Sequence, residues 1–404
     1  MTEDTLHYDA VVVGGGLVGQ LLALVLAKEN NTVAMIEQRA LPSKYTDDFD
    51  NRGIALAYPS LCMLNTLGLW QKLSSYATAI HRVHVSNKGS LPQVNLNREG
   101  LPGLGAVVET PHLLTVLSEA VSKSKIEVIA PAEVLGLEDH GYGKKLRIKK
   151  DGLENDIVAK LLCACDGAQS MIRGELDIST EHTDYKQSAL TFNVGLKRGH
   201  HNIAYERFIN NGVMAMLPIT QDRSACVWTM SPSDAEQNIK LSDAELLKQV
   251  QATFGYRLGR FTQLGKRHVF PLHLIRAKQL YKENVLLFGN AAHFLHPISG
   301  QGFNLSFRDV GIFADLLNTH GLKNYNTTLL EQFESLRIKD HRRTIKVTDG
   351  LVQTFLSENK LIQAGRSLSM SVLERSSLGK KMVNQVMMGK LDPMSSLTNS
   401  KIVE

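Results

Sequence analysis

Tyr8-Asp9-Ala10-Val11-Val12-Val13 runs straight into Gly14-Gly15-Gly16-Leu17-Val18-Gly19. The first part is almost wholly apolar, as the opening strand of a βαβ unit should be. The glycines follow at the spacing Gly14-x-Gly16-x-x-Gly19, and a helical run continues from 20 to 28. A second strand, 32–36, ends at Glu37, 18 residues after Gly19. Each glycine has a physical task. Gly14 permits a tight turn, Gly16 lets the backbone approach a pyrophosphate, and Gly19 lets the helix pack closely on the strand. The helix N-terminus then favours phosphate charge, and the Glu37 carboxylate suits a ribose hydroxyl. This βαβ beginning is expected to bind a dinucleotide. The apolar stretch 11–27 holds four glycines and Gln20 and is short for a membrane span.

Two further loops repeat the pattern of a buried strand ending in small residues. Residues 160–165 (Lys-Leu-Leu-Cys-Ala-Cys) lead into Asp166-Gly167, with Ser170 and Arg173 just beyond. Residues 284–288 (Asn-Val-Leu-Leu-Phe) lead into Gly289-Asn290-Ala291-Ala292-His293, and then to Pro297-Ile298-Ser299-Gly300-Gln301-Gly302-Phe303-Asn304. Gly289, Ala291 and Ala292 permit close backbone approach. Gly300, Gln301 and Gly302 offer N–H groups at a helix start, which suits a ring that gains negative charge on reduction. Between these loops, residues 187–270 read as short β-like stretches such as 189–195 and 213–217, with a turn at Asn210-Asn211-Gly212. Beyond about residue 305 the chain reads as helix to near its end.

Composition sets the bounds. The chain has 404 residues, is 43% hydrophobic and 21% charged, and carries a net charge of +5. This is globular composition and excludes a collagen-like or disordered chain. Four cysteines are too few for a disulfide scaffold and point to a reducing compartment. They fit no zinc pattern, and Cys163-x-Cys165 suggests burial on one strand face. The opening Met1-Thr2-Glu3-Asp4 lacks the positive start of a secretory signal. The basic excess lies late: residues 336–390 hold eleven Lys/Arg against four Asp/Glu. Met370, Met382, Met387, Met388 and Met394 fall in or just past that region. A basic, methionine-rich helical region suits a membrane surface, a partner protein, or packing on the body of the chain.

The three loops together resemble the FAD-dependent aromatic hydroxylases of the para-hydroxybenzoate hydroxylase type, and within them the ubiquinone-biosynthesis hydroxylases. Asp50-Asn51-Arg52-Gly53-Ile54-Ala55-Leu56, Glu206-Arg207-Phe208, Ala215-Met216-Leu217-Pro218 and Thr348-Asp349-Gly350-Leu351-Val352 extend the resemblance over nearly the whole chain. Two departures stand out. Asn290 replaces the usual Asp of the third loop, and Thr110-Pro111-His112-Leu113 lacks the Arg or Gln that many relatives place near the flavin.

The resemblance implies an α/β fold: a Rossmann-like FAD-binding domain (1–75, 100–180 and 270–335) interleaved with a mostly antiparallel substrate domain (76–99 and 181–269), and C-terminal helices (336–404). It implies that Gly14, Gly16 and Gly19 hold the pyrophosphate, and Glu37 the adenosine ribose with Arg39 beside it. Arg52 would lie near flavin and phosphates. Asp166 and Gly167 would meet the ribityl or pyrophosphate region, and Gly289 and Asn290 the ribityl chain. Pro297, Gly300, Gln301, Gly302 and Asn304 would line the isoalloxazine.

The implied reaction uses NAD(P)H to reduce FAD and inserts one atom of O2 into the ring of a polyprenylated phenol, a 2-polyprenyl-6-methoxyphenol. The partners expected are that phenol, O2, and a membrane surface or other ubiquinone-biosynthesis proteins, with no nucleic acid. The implied place is the cytoplasm, at the inner face of the cytoplasmic membrane. The same chemistry at another ring position or on a soluble aromatic, and a non-catalytic flavin- or lipid-binding subunit, stay open as alternatives. No catalytic side chain and no metal site is assigned. His293 and His296, the titratable groups nearest the third loop, read as structural. Tyr205 and Arg207 read as sheet residues in the substrate region.

Overall fold

The computed structural model describes residues 6–42, 44–89, 93–98, 103–209, 212–323, 325–357 and 359–402. Its parallel core holds five strands side by side: Val285–Leu287, Leu153–Ala164, Leu6–Val13, Val33–Ile36 and Glu127–Ile129. Leu6–Val13 is central, so Ala10, Val11 and Val12 are fully buried. That is why this segment reads as a continuous apolar run. An antiparallel hairpin, Ala132–His140 and Gly143–Lys150, extends the sheet along Leu153–Ala164. The helix Leu17–Leu26 covers the sheet and packs against the helices Thr110–Ser122 and Gln301–His320.

A second sheet of nine strands is antiparallel except where Ile203–Ile209 meets Arg82–Asn87. Its longest strand, Thr180–Leu196, pairs with Arg223–Met230 on one side and His268–Ala277 on the other. The mixed α/β architecture, with its parallel and antiparallel sheets and C-terminal helices, is the one expected from the sequence. The middle region differs in one respect: it also contains the helices Pro232–Asn238 and Asp243–Phe254. These cover one face of the sheet with Leu246, Val250 and Phe254. The turn expected at Asn210-Asn211 lies outside the described residues.

A small antiparallel sheet of Gly53–Ala57, Gly105–Glu109 and Ala77–Ile80 joins the two large ones. Its Ile80 and Val107 pack on Ala204, Ile219 and Ala225 of the nine-stranded sheet. The C-terminal part forms the helices Thr327–Leu356, Lys360–Arg375 and Ser377–Met387. The chain then returns to the body, where Leu397 is buried and Thr66 Oγ1 donates to its carbonyl at 2.7 Å. Among the described residues no helix is long and apolar enough to cross a membrane.

Candidate flavin site

The parallel pairing fixes where the loops fall. Val13 is in register with both Ile36 and Ala164, and Ala164 with Leu287. The loops that follow these four residues therefore emerge together at the carboxyl edge of the sheet, where open α/β sheets bind ligands. The sequence-predicted residues Gly14, Gly16, Glu37, Asp166, Gly167, Gly289 and Asn290 all belong to these loops.

In the first loop, Gly14 has φ +104°, and a Cβ on it would lie 2.4 Å from the Cys165 carbonyl oxygen. A Cβ on Gly19 would lie 1.8 Å from the Gly14 carbonyl oxygen. These two glycines are demanded by the protein itself. Gly16 is different: no protein atom lies within 4 Å of its Cβ position. It is the N-cap of Leu17–Leu26, and no side chain caps that helix. The first-turn N–H groups thus face open space, as an anion site requires. Glu37 sits at the end of its strand and accepts from Gly15 N–H at 2.5 Å and Arg39 N–H at 3.0 Å. It braces the loop, and the Arg39 side chain is exposed.

The second loop carries an unpaired acceptor. Asp166 Oδ2 accepts from Ile172 N–H at 3.2 Å, but Oδ1 is buried and has no hydrogen-bond partner. A buried carboxylate oxygen is costly to leave unmatched, and a ligand hydroxyl at this edge would match it. Arg173 fastens the second loop to the third: its guanidinium donates to Ala168 O at 2.8 Å and to Ala291 O at 2.9 Å.

In the third loop Asn290 and Pro297 are exposed, and Gly300 adopts the left-handed conformation (φ +59°) that starts the helix Gln301–His320. No side chain caps that helix either. Gln301 is buried, and its Nε2 donates to Met387 O at 3.0 Å. A Cβ on Gly302 would meet nothing nearer than Leu295, at 3.9 Å. Asn304 is fully engaged: Oδ1 accepts from Ala57 N–H and Ser60 Oγ, and Nδ2 donates to Ala55 O and Gly300 O. It ties the third loop to the strand Gly53–Ala57. Arg52, just before that strand, is exposed, and its guanidinium lies 5.1 Å over the Phe270 ring.

The histidines of this loop are engaged within the protein. His296 Nδ1 accepts from Ile298 N–H at 3.2 Å, which leaves Nε2–H to donate to Gln187 Oε1 at 3.3 Å. Burial pushes its pKa down to about 4, so the ring is neutral near pH 7. His293 Nε2 donates to Asp309 Oδ2 at 2.9 Å, and His341 Nε2 donates to Asp309 Oδ1 at 2.8 Å. Arg337 Nε also reaches Asp309 Oδ1, at 2.6 Å, and Arg337 and Arg308 both bind Asp340. Burial alone would raise the pKa of Asp309. The neighbouring His341 and Arg337, with hydrogen bonds from His293 and His341, hold it well below the carboxylate range. Burial also lowers His341, to about 4. The ligand atoms of His293, Asp309 and His341 lie within 4.8 Å of one another. The Arg337 guanidinium already supplies the cation there.

Tyr205 and Arg207 project to the helix-covered face of the nine-stranded sheet. Tyr205 packs edge-on against Phe254, and Arg207 Nε donates to Thr253 O. The next strand position, Phe208, faces the other way and clusters with Ile298 of the third loop, Val213 and Val352. Sequence reading did not single out Phe208, although strand alternation from Arg207 places it on the opposite face. It also missed a buried group beside Arg52. Glu109 pairs with Arg223 at 3.2 Å, and His112 is stacked between Tyr45 and Tyr76. Neither ring nitrogen of His112 has a hydrogen-bond partner, and burial lowers its pKa.

Comparison with known proteins agrees with this geometry. The chain is 29% identical to the ubiquinone hydroxylase UbiL of Rhodospirillum rubrum, over 95% of this chain and 90% of that protein. It is 28% identical to the 3-demethoxyubiquinol 3-hydroxylase of Escherichia coli, over 94% of this chain and 98% of that one. Its fold matches the crystal structure of p-nitrophenol 4-monooxygenase PnpA from Pseudomonas putida with a TM-score of 0.79 and 18% identity, covering 96% of this chain and all of that one. The FAD binding domain model matches residues 7–346. With three glycine-bearing loops at one sheet edge and a family match over most of its length, the chain belongs to the FAD binding domain family of flavoprotein monooxygenases.

Proposed function

We propose that this protein hydroxylates the ring of a polyprenylated phenol, 2-polyprenyl-6-methoxyphenol, in ubiquinone biosynthesis, using NAD(P)H and O2. The observation that carries the flavin half of this reading is the shared sheet edge, with the open Gly16 position and the unmatched Asp166 Oδ1. The pathway half is supported by two ubiquinone-named relatives that align along almost the whole chain.

When bound, FAD supplies the redox chemistry with nicotinamide and oxygen. The chain's residues supply position. Gly14, Gly16 and Gly19 shape the pyrophosphate cradle, and Glu37 with Arg39 borders the ribose. Arg52 lies on the flavin and phosphate side. Asp166 and Gly167, with Gly289 and Asn290, border the ribityl chain. Pro297, Gly300, Gln301 and Gly302 present the third loop to the isoalloxazine, and Asn304 fixes that loop in place. Phe208, Val213 and Val352 give the phenol an apolar, water-poor wall beside Ile298.

The division proposed from the sequence accompanies this reading: 1–75, 100–180 and 270–335 hold FAD, 76–99 and 181–269 the substrate, and 336–404 form the helical end. The strand His268–Ala277 runs between the two parts, because it pairs with both Thr180–Leu196 and His293–Phe294. A prenylated substrate resides in a bilayer. The enzyme would therefore work at the inner face of the cytoplasmic membrane or among other proteins of the pathway.

The test is quinone extraction from a strain lacking the protein, with mass spectrometry of pooled intermediates. A prenylated methoxyphenol one oxygen short should accumulate and disappear when the chain is restored. A normal ubiquinone pool would remove the pathway reading. Hydroxylation at another ring position is the second reading, favoured by the name of the Escherichia coli relative. A different pooled intermediate would select it.

A further inference from the structure

The helices Lys360–Arg375 and Ser377–Met387 each have two unlike faces. On the first, Leu361, Leu368 and Val372 fall on one stripe at helical spacing and are 82%, 68% and 60% exposed. Leu378 and Met382 continue the apolar surface on the second, four residues apart and equally open. Half a turn away, Met370 is buried against Val94 and Leu96 of the nine-stranded sheet. The outward face is therefore apolar by choice of residue, while a separate inner face does the packing.

Among the described residues, the exposed charges on these two helices have one sign. Lys360, Arg375 and Lys381 are exposed. Arg366 is turned inward, donating to Thr354 O and Phe355 O. The one acidic residue of the two helices, Glu374, is held inward by Asn95 and Lys380. Exposed leucines ringed by unmatched cations complement an anionic lipid surface.

The inner face leads to the flavin loop. Met370, Leu373 and Val383 share an apolar cluster with Phe355. Phe355 stacks on Phe208 at 3.4 Å between centroids, and Phe208 clusters with Ile298. Gln301, at the start of the flavin-side helix, bonds to Met387 O at the end of the second helix.

We infer that this helix pair is a docking surface for an anionic membrane, lying flat on the bilayer with the Phe355–Phe208 seam running from it to Ile298. The seam's use by an isoprenoid tail rests on the prenylated substrate proposed above; the lipid contact does not. The test is co-sedimentation of the FAD-loaded full chain with vesicles of phosphatidylcholine alone or mixed with phosphatidylglycerol. The chain should bind the mixed vesicles, bind the neutral ones at least about tenfold less, and be released by salt. Leu361→Glu/Leu368→Glu/Val372→Glu should lose binding at least about tenfold while staying yellow and monodisperse. Leu153→Glu, at another exposed leucine, should bind as the unaltered chain does. Equal binding by the triple variant, or none by the unaltered chain, overturns the inference. So does a concentration-dependent dimer in gel filtration that the triple variant abolishes, which would assign the face to a second copy. An unaltered chain that binds no vesicles yet hydroxylates a short-chain phenol in solution would sink only this surface and leave the proposed function standing, because that reaction needs no lipid.

Discussion

A side chain added at Gly16 meets no protein atom, whereas one added at Gly14 would strike the Cys165 carbonyl. The two glycines should therefore fail differently. Gly16→Val should fold normally and bind no FAD, because the valine fills the pyrophosphate approach. Purified variant with stoichiometric yellow flavin would count against the loop assignment. Gly14→Ala should lose thermal stability, since positive φ and a backbone clash together cost more than about 1–3 kcal/mol. Asp166 makes a third case. Its Oδ1 has no partner within the protein, so Asp166→Ala, which gives up only the Oδ2 bond from Ile172 N–H at a cost of about 1 kcal/mol, should still fold and should weaken FAD about 10–100-fold, as read by flavin fluorescence titration. Unchanged affinity would mean that the cofactor does not reach this carboxylate.

At the scale of elements, the loop holding His293 and the helices Gln301–His320 and Thr327–Leu356 are locked through Asp309. Asp309→Asn leaves Arg337 poorly matched in a buried site. It should cost about 3–5 kcal/mol, seen as a lower melting temperature with and without FAD. The same neighbourhood sets an acid limit. His296 and His341 stay neutral in the folded protein down to about pH 4, but in the unfolded chain they take up protons near the ordinary value of about 6.5. Between these values the unfolded state binds more protons, so stability falls as pH falls, by at most about 3 kcal/mol per ring. Melting curves from pH 7 to 4.5 should descend; a flat profile would contradict the buried neutral rings.

These elements also show what the sequence could reveal. The glycine loops were readable because each task is local: a strand, a turn and a helix lie within some twenty residues. The helix Asp243–Phe254 was overlooked although Ser242 and Glu245 form a capping box, a signal of four residues at the helix start. Thr180–Leu196 was read as shorter because its first half is exposed and polar and only its second half is buried. Asp309 could not be read at all as a hub. Its partners His293, Arg337 and His341 stand 16, 28 and 32 positions away, and no periodicity links them. Tyr205 and Arg207 read as sheet residues, but a strand presents two faces, and only the packing of Phe254 shows which face looks away from Ile298.

Across the whole molecule, the two large sheets are joined by parts distant in sequence. The small sheet bridges them, Asn304 ties it to the helix Gln301–His320, and the returning tail closes over that helix and the helix Tyr58–Thr66. Leu397 is buried, Ser395 Oγ donates to Gly311 O at 2.9 Å, and Ser400 Oγ donates to Cys62 O at 2.7 Å. Leu397→Ala should cost about 2–4 kcal/mol, measurable as a drop in melting temperature. An unchanged melting temperature would mean that the tail adds no stability where it closes.

The parallel core has a consequence for biosynthesis. The strand Leu6–Val13 and its glycine loop leave the ribosome first, but their neighbour Leu153–Ala164 waits for Val285–Leu287 to complete the edge. At ordinary translation speeds that interval is on the order of tens of seconds. The nascent chain carries half a cradle through most of its synthesis. On the proposed flavin site, cofactor capture is expected to be a late event that awaits the segment around Gly289–Gly302, and a chain truncated before that segment should be colourless.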